Sequence, residues 1–362
     1  MIYIAYIILS FAILQYAVAL INVVFRQRFS STMLNEDILV SVLIPARNEE
    51  KNIGNILKDI ILQSYHNIEI RVLNDASTDA TALIVESYAT QDNRIKLVQS
   101  NDLPKGWLGK NYACYQLAKE STGRYLLFLD ADVRIEPDFI GKLLHYGHTR
   151  KLDLVSIFPK QILGSVGEWK TVPIMNYILL SLLPLILVRG RYFTSLSAAN
   201  GQCMFFSQSS YEKMNPHEQV KENAVEDIVI ARMYKKKKLK IACLASVRSI
   251  SCRMYEGYED AINGFSKNYL AFFGNSVTVA ILFWLTTSFS FLVLLFYPIL
   301  LVAYLLLAIT TRIMISITSH QSVKKNLYYW VYQQRTLGIL IKNAYTNKHN
   351  RNQLWKDRNI YQ

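Results

Sequence analysis

Arg124-Tyr-Leu-Leu-Phe-Leu-Asp130-Ala-Asp132-Val-Arg134 decides how this chain folds. The apolar run of residues 125–129 ends at two aspartates, two positions apart. A short, unbroken run of aromatic and aliphatic side chains predicts a strand buried on both faces of a sheet. Carboxylates just past such a strand sit where open α/β sheets bind ligands, outside the strand C-termini. Two hard oxygen donors there suit Mg²⁺ or Mn²⁺, which in turn would hold a phosphate. Taken alone, Asp-x-Asp reads equally well as a strand followed by an Asx-type turn. Its flanks have to decide.

Upstream, residues 38–45 (ILVSVLIP) form a β-branched apolar run that ends at Pro45. The polar stretch Ala46-Arg-Asn48-Glu49-Glu50-Lys-Asn52 follows, and then apolar positions at Ile53, Ile56, Leu57, Ile60 and Ile61. That order predicts strand, loop and helix. A second strand over 68–73 breaks at Asn74-Asp75-Ala-Ser77-Thr-Asp79, and a helix over 79–90 precedes a short strand at 95–98. A loop over 99–109 and a helix over 110–121 lead into the Asp-x-Asp strand. Strands alternating with helices imply a mostly parallel sheet with right-handed crossovers, so residues 38–250 read as an α/β domain. Acidic loops close three of its strands, which suggests one shared site. Neither a G-x-G-x-x-G nor a G-x-x-x-x-G-K-[ST] loop is present to bring backbone amides to a pyrophosphate. Neutralisation would fall to a metal on Asp132 and to Lys110. Even at an effective dielectric of about 20, two unit charges ~4 Å apart interact by about 4 kcal/mol.

Residues 1–25 and 277–311 carry no charge. Crossing the hydrocarbon core takes about 20 apolar residues, so the first block fits one helix and the second fits two, with a turn near Pro298. The first block lacks the basic start and small-residue cleavage site of a signal peptide. Arg26 and Arg28 follow it, and Lys324, Lys325, Arg335, Lys342, Lys348, Arg351, Lys356 and Arg358 follow the last apolar block. By the positive-inside rule the expected protein is a multi-pass protein of the cell membrane, with its catalytic domain and tail in the cytoplasm. The expected layout is a transmembrane helix at 1–25, a cytoplasmic catalytic domain at 38–250, an interfacial amphipathic helix at 255–275, two transmembrane helices at 277–318, and a basic cytoplasmic tail at 319–362. The amphipathic helix rests on a stripe of Tyr258, Ile262, Phe265, Tyr269 and Phe272, with aromatic content suited to the headgroup region. The Tyr328-Tyr329-Trp330-Val-Tyr332 cluster reads as an interfacial anchor. Residues 174–188, with a central proline, read as a core helix in preference to a re-entrant one.

The net charge of +13 fits anionic membrane lipid better than nucleic acid, because no aromatic-basic platform or known nucleic-acid module appears. The charge run of residues 235–238 reads as a solvated or lipid-facing helix end. The four cysteines show no CxxC spacing, as expected of reduced thiols.

Taken together, these motifs resemble those of the family-2 glycosyltransferases with the nucleotide-sugar-binding GT-A fold. The chain is similar in particular to the membrane-attached group that includes the diaponeurosporenoate glycosyltransferases. The resemblance runs over roughly residues 40–275: Val42-Leu-Ile-Pro45-Ala-Arg-Asn48-Glu49, then Asn74-Asp75-Ala-Ser77-Thr-Asp79, then Phe128-Leu-Asp130-Ala-Asp132, then Val225-Glu226-Asp227-Ile228. It implies that Pro45, Ala46, Asn48, Glu49, Asp75 and Lys110 bind the nucleotide-sugar, with Asp75 on the base. Asp130 would meet the ribose or the metal, Asp132 would coordinate Mg²⁺ or Mn²⁺, and Asp227 would deprotonate the acceptor. A general base must lie within hydrogen-bond reach of the proton it takes. The competing reading of Glu226-Asp227 is complementation of a helix dipole. Trp107, in a glycine-flanked loop, Gly201 and Gln202 are implied on the acceptor side. Arg253 stands where processive relatives carry Gln-x-x-Arg-Trp, a motif this chain lacks. The implied reaction is inverting, metal-dependent transfer of one sugar from a nucleotide-sugar, UDP-linked by preference, to a lipid acceptor such as a carotenoid or other isoprenoid. The alternatives are a polysaccharide or polyprenyl-phosphate sugar transferase, and a catalytically silent membrane scaffold.

Overall fold

The computed structural model describes residues 1–30, 36–190, 193–350, 354–355 and 358–359. Arg351 and Lys356 of the expected tail lie outside the described residues. The strands of the α/β domain are β1 (Val40–Ala46), β2 (Ile68–Asn74), β3 (Ile95–Gln99), β4 (Tyr125–Leu129), β5 (Val133–Ile135), β6 (Leu154–Phe158), β7 (Lys160–Gln161), β8 (Cys203–Ser207), β9 (Ile241–Ala245) and β10 (Ile250–Cys252). Seven of them form one sheet in the order β3-β2-β1-β4-β8-β6-β9. All its pairs are parallel except those of β8, which runs antiparallel between β4 and β6. The apolar runs explain the centre of the sheet. Every residue of β4 is buried, and the sheet's two faces carry separate apolar cores. The Ile53–Ile61 helix covers one face with Ile53, Ile56, Leu57 and Ile60.

β5 begins directly after Asp132 and pairs antiparallel with β10 in a small second sheet with β7. The Asp130-Ala-Asp132 turn therefore joins the two sheets and is pinned from both sides.

Three helices, Ile2–Val24, Val277–Leu294 and Pro298–Thr318, are long and apolar enough to cross a membrane. The Pro173–Leu182 helix belongs to the apolar core and packs on the first span, where Gln15 donates to Ser181 at 3.2 Å and Asn22 to the Leu180 carbonyl at 3.0 Å.

Two expectations about the C-terminal third change. The 255–275 stripe is split into a helix at Tyr258–Ser266 and a 3₁₀ turn at Tyr269–Phe273. Its residues Ile262, Phe265 and Tyr269 are buried against Val172, Ile174, Ile178, Leu337 and Leu340. Much of the stripe thus packs against protein, while Tyr258 and Phe272 stay half-buried. Leu337 and Leu340 come from the expected tail, which folds as helices at Val323–Tyr328 and Trp330–Asn350. The longer of these packs on Val277–Leu294. Lys235 also departs from the solvated reading. It is 1% exposed, and its Nζ donates to the carbonyls of Leu196 at 2.5 Å and Leu187 at 3.2 Å.

Candidate active site

The first two acidic loops are clipped together. Asn48 adopts a left-handed backbone (φ 51°). Its N–H donates to Ser77 Oγ at 3.0 Å, and its Oδ1 accepts from Thr78 N at 2.9 Å. Glu49 N donates to Thr81 Oγ1, and Asp75 N to the Ala46 carbonyl, both at 2.8 Å. Arg47, absent from the sequence-based set, donates to the Asp75 carbonyl at 2.7 Å. Asn48 therefore ties loop to loop, while Pro45, Ala46, Glu49 and the buried Asp75 stand on the wall of a cavity of about 940 Å³.

Asp130, Asp132 and Asp227 line the same cavity. Lys110, in the first turn of the Gly109–Lys119 helix, meets Asp130 at 2.8 Å and Glu226 at 3.4 Å. Burial works against its charge, but these two carboxylates outweigh it and hold the ammonium well above its ordinary pKa. Lys110 is thus shared between Asp130 at the strand end and Glu226 of the Glu226–Lys236 helix, a bridge the sequence did not reveal.

Asp132 is different. Its Oδ1 is buried without a hydrogen-bond partner among the described residues. Burial, then the charges of Asp130 and Glu49, raises its pKa to about 7. Crowded, partly unsatisfied carboxylates of this kind fit a hard divalent cation. Among the described residues no group of three or more His, Cys, Asp or Glu is placed to hold an ion alone. An ion on Asp132, with Asp130 beside it, would complete its shell with phosphate oxygens and water, as Mg²⁺ commonly does.

Asp227 opens the Glu226–Lys236 helix and accepts from Gly201 N at 3.0 Å and from Ile228 N at 2.7 Å. Helix-dipole complementation by itself would lower its pKa. Instead burial, with the Glu226 charge next, raises it to about 7. Gly201 belongs here for steric reasons: a Cβ would come within 3.0 Å of Glu226 Oε1 and 3.1 Å of Lys110 Nζ. Gly201→Ala is expected to displace both groups and cut turnover at least about tenfold, with a melting temperature close to that of the parent. A full retention of turnover would show that the Lys110–Glu226 spacing is not critical.

Gln202 sits deeper, 4% exposed, with its Nε2 2.9 Å from Cys252 Sγ. Trp107 packs on Tyr112 and Tyr115 of the following helix, with ring centroids 5.2 and 5.0 Å away, and lines the cavity. Arg253 also lines the cavity, and its Nη2 lies 3.0 Å from Oε1 of the fully buried Glu168. Glu168 escaped the sequence reading. Its trace was Ser165-x-x-Glu168, a helix-start pattern, and Ser165 does cap Glu168 N. The Glu168 carboxylate turns away to accept from Gly164 N and Arg253 instead.

A sheet of this topology with carboxylates at its strand ends invites comparison with known proteins. The domain description of glycosyl transferase family 2 matches residues 41–214. Those residues form a glycosyl transferase family 2 domain. The chain is 28% identical over 272 residues to the 4,4'-diaponeurosporenoate glycosyltransferase of Staphylococcus haemolyticus strain JCSC1435, covering 70% of this chain and 69% of that protein. It is 27% identical over 261 residues to the protein of the same name from Staphylococcus aureus strain USA300, covering 69% and 66%. Among solved structures, the mannosyltransferase PcManGT from Pyrobaculum calidifontis, in complex with GDP-Man and Mn²⁺, superposes with a TM-score of 0.58 at 14% identity, over 95% of this chain and 99% of that one. That likeness extends the GT-A-like α/β fold through the apolar helices.

Proposed function

We propose that this glycosyltransferase moves one sugar, with inversion, from a nucleotide-sugar to the polar end of a membrane lipid. One observation carries the reading. The cavity holding Asp75, Asp132 and Asp227 continues without a break to Ile174, Ile178, Phe265, Tyr269, Phe272 and Leu340. Several of these apolar residues share a core with Ala280 and Phe283 of the second span. Such a cavity has a wet, acidic end for a donor arriving from water and an apolar end for an acceptor arriving from the bilayer.

In this reading the donor base lies by Asp75 and its diphosphate lies by Asp132. A divalent ion held there, Mg²⁺ or Mn²⁺, supplies charge stabilisation to the departing nucleotide diphosphate. The PcManGT complex with GDP-Man and Mn²⁺ supports a divalent ion beside a nucleotide-sugar in this fold. Asp227 takes the proton of the acceptor hydroxyl as its oxygen attacks the anomeric carbon, opposite the breaking bond to the diphosphate. Lys110 holds Asp130 and Glu226 in register across the two halves of the site. The relatives' names favour an isoprenoid lipid as acceptor, and the basic residues after the first and third spans favour a cytoplasmic catalytic domain.

The test is mass spectrometry of lipid extracts incubated with the purified protein and a panel of nucleotide-sugars. A product one sugar heavier than a lipid is expected. A ladder of sugars would replace the reading with a polymerase, and no transfer with any donor would favour the silent scaffold. Narrowing the apolar end by Ile178→Trp is expected to raise the acceptor KM at least about tenfold while acceptor-independent hydrolysis of the donor stays unchanged. Equal loss of both activities would place the acceptor elsewhere.

A further inference from the structure

Arg26 and His320 meet where the α/β domain joins the ends of two apolar helices, within electrostatic reach of three further basic side chains, Arg28, Lys160 and Arg248. Arg26 and Arg28 follow the first span, which ends at Val24, and His320 follows the third, which ends at Thr318. Lys160 comes from β7, and Arg248 comes from the turn between β9 and β10. Arg26 Nη2 donates to His320 Nε2 at 2.5 Å and to the Ser246 carbonyl at 3.2 Å. A guanidinium has no acceptor, so His320 Nε2 must accept and its ring is neutral in this arrangement. Burial, followed by the charges of Arg26, Arg248, Lys160 and Arg28, holds the imidazole near pKa 4. Among the described residues, none of the five forms an ion pair with Asp or Glu. Ser246, whose carbonyl accepts from Arg26, adopts a left-handed backbone (φ 47°) and buries a hydroxyl that has no partner among the described residues.

A cluster of like charge repels itself unless an anion sits within it. We propose that this cluster binds the phosphate of an anionic phospholipid headgroup. The source is a lipid and not free phosphate because Arg26 and His320 each lie two residues past the end of a span, which is headgroup depth. The bound headgroup would tie the ends of two spans to β7 and the β9–β10 turn. β10 leads directly into Arg253 on the cavity wall. The site would thereby set the height of the cavity against the bilayer.

The experiment uses the full chain in detergent, and native mass spectrometry counts retained phosphatidylglycerol against phosphatidylcholine. Selective retention of phosphatidylglycerol is expected. Arg28→Gln, Lys160→Gln and Arg248→Gln together should weaken that retention roughly hundredfold, at about fivefold per charge near an anionic surface. None of the three residues belongs to the catalytic set, so donor hydrolysis should not change. If the triple variant does not fold, the exposed Arg28→Gln alone should still show about a fivefold loss. Equal retention of both lipids, or unchanged retention in the variants, would overturn the proposal. So would displacement of the lipid by millimolar inorganic phosphate, which would mark a free-anion site.

Discussion

Asp132→Ala is expected to lower sugar transfer by about a thousandfold or more at saturating donor, with the fold intact. Asp132 has a buried oxygen that nothing among the described residues satisfies, and its charge is crowded by Asp130 and Glu49. A cation is the partner that turns this repulsion into attraction. At an effective dielectric of about 20, one unit-charge contact at ~4 Å is worth about 4 kcal/mol, or about three powers of ten in rate. Chelation should abolish activity in the unaltered protein, and Mg²⁺ or Mn²⁺ should restore it. Proton and metal compete for the same oxygens. The metal-free carboxyl has its pKa raised to about 7, so apparent metal affinity should fall about tenfold per pH unit below 7 and level off above it. Asp132→Asn, which keeps the shape and loses the charge, separates packing from electrostatics. Titrations of rate against metal at several pH values check the whole set. A variant with normal activity and no metal requirement would remove Asp132 from the centre of the site.

Much of the catalytic half was legible because its signals are local. β1 to β4 begin and end within two residues of the apolar runs that predict them, since a strand buried on both faces leaves no room for polar side chains. The strand-end acids could be read for the same reason: a charge directly after such a run must lie at the sheet edge. Periodicity, by contrast, says which face of a helix is apolar but not what covers it. The Tyr258–Phe272 stripe is split between a helix and a 3₁₀ turn, and part of what packs on it, Leu337 and Leu340, lies in a segment whose basic residues suggest a cytoplasmic tail. Long-range pairings were equally hidden. Nothing near Lys110 in the sequence names Glu226, and nothing near Arg253 names Glu168. Lys235 shows the limit of charge counting, because its methylene stem lets a lysine in a basic run bury its ammonium against two carbonyls.

Asp227→Asn is expected to lower kcat about a thousandfold, within the roughly 10²–10⁴ range for a general base, while leaving donor affinity unchanged. The unaltered enzyme, saturated with metal, should gain rate about tenfold per pH unit up to about 7 and then level off, because Asp227 with its pKa raised to about 7 is active only when deprotonated. The Asn variant should be flat across that range. A helix-dipole role predicts the opposite pattern: a shift in melting temperature, little change in kcat, and an unchanged pH profile. The size of the effect also reports on the acceptor. A hydroxyl has to lose its proton as it attacks, so it suffers the full loss. A carboxylate acceptor is already ionised at neutral pH and gains nothing from a base. Comparing the Asp227→Asn loss for a lipid alcohol and a lipid acid of the same chain therefore tests the residue and the substrate class at once. A large loss with the alcohol and a small one with the acid would keep Asp227 as the base. Equal small losses would return it to a purely structural place at the start of its helix.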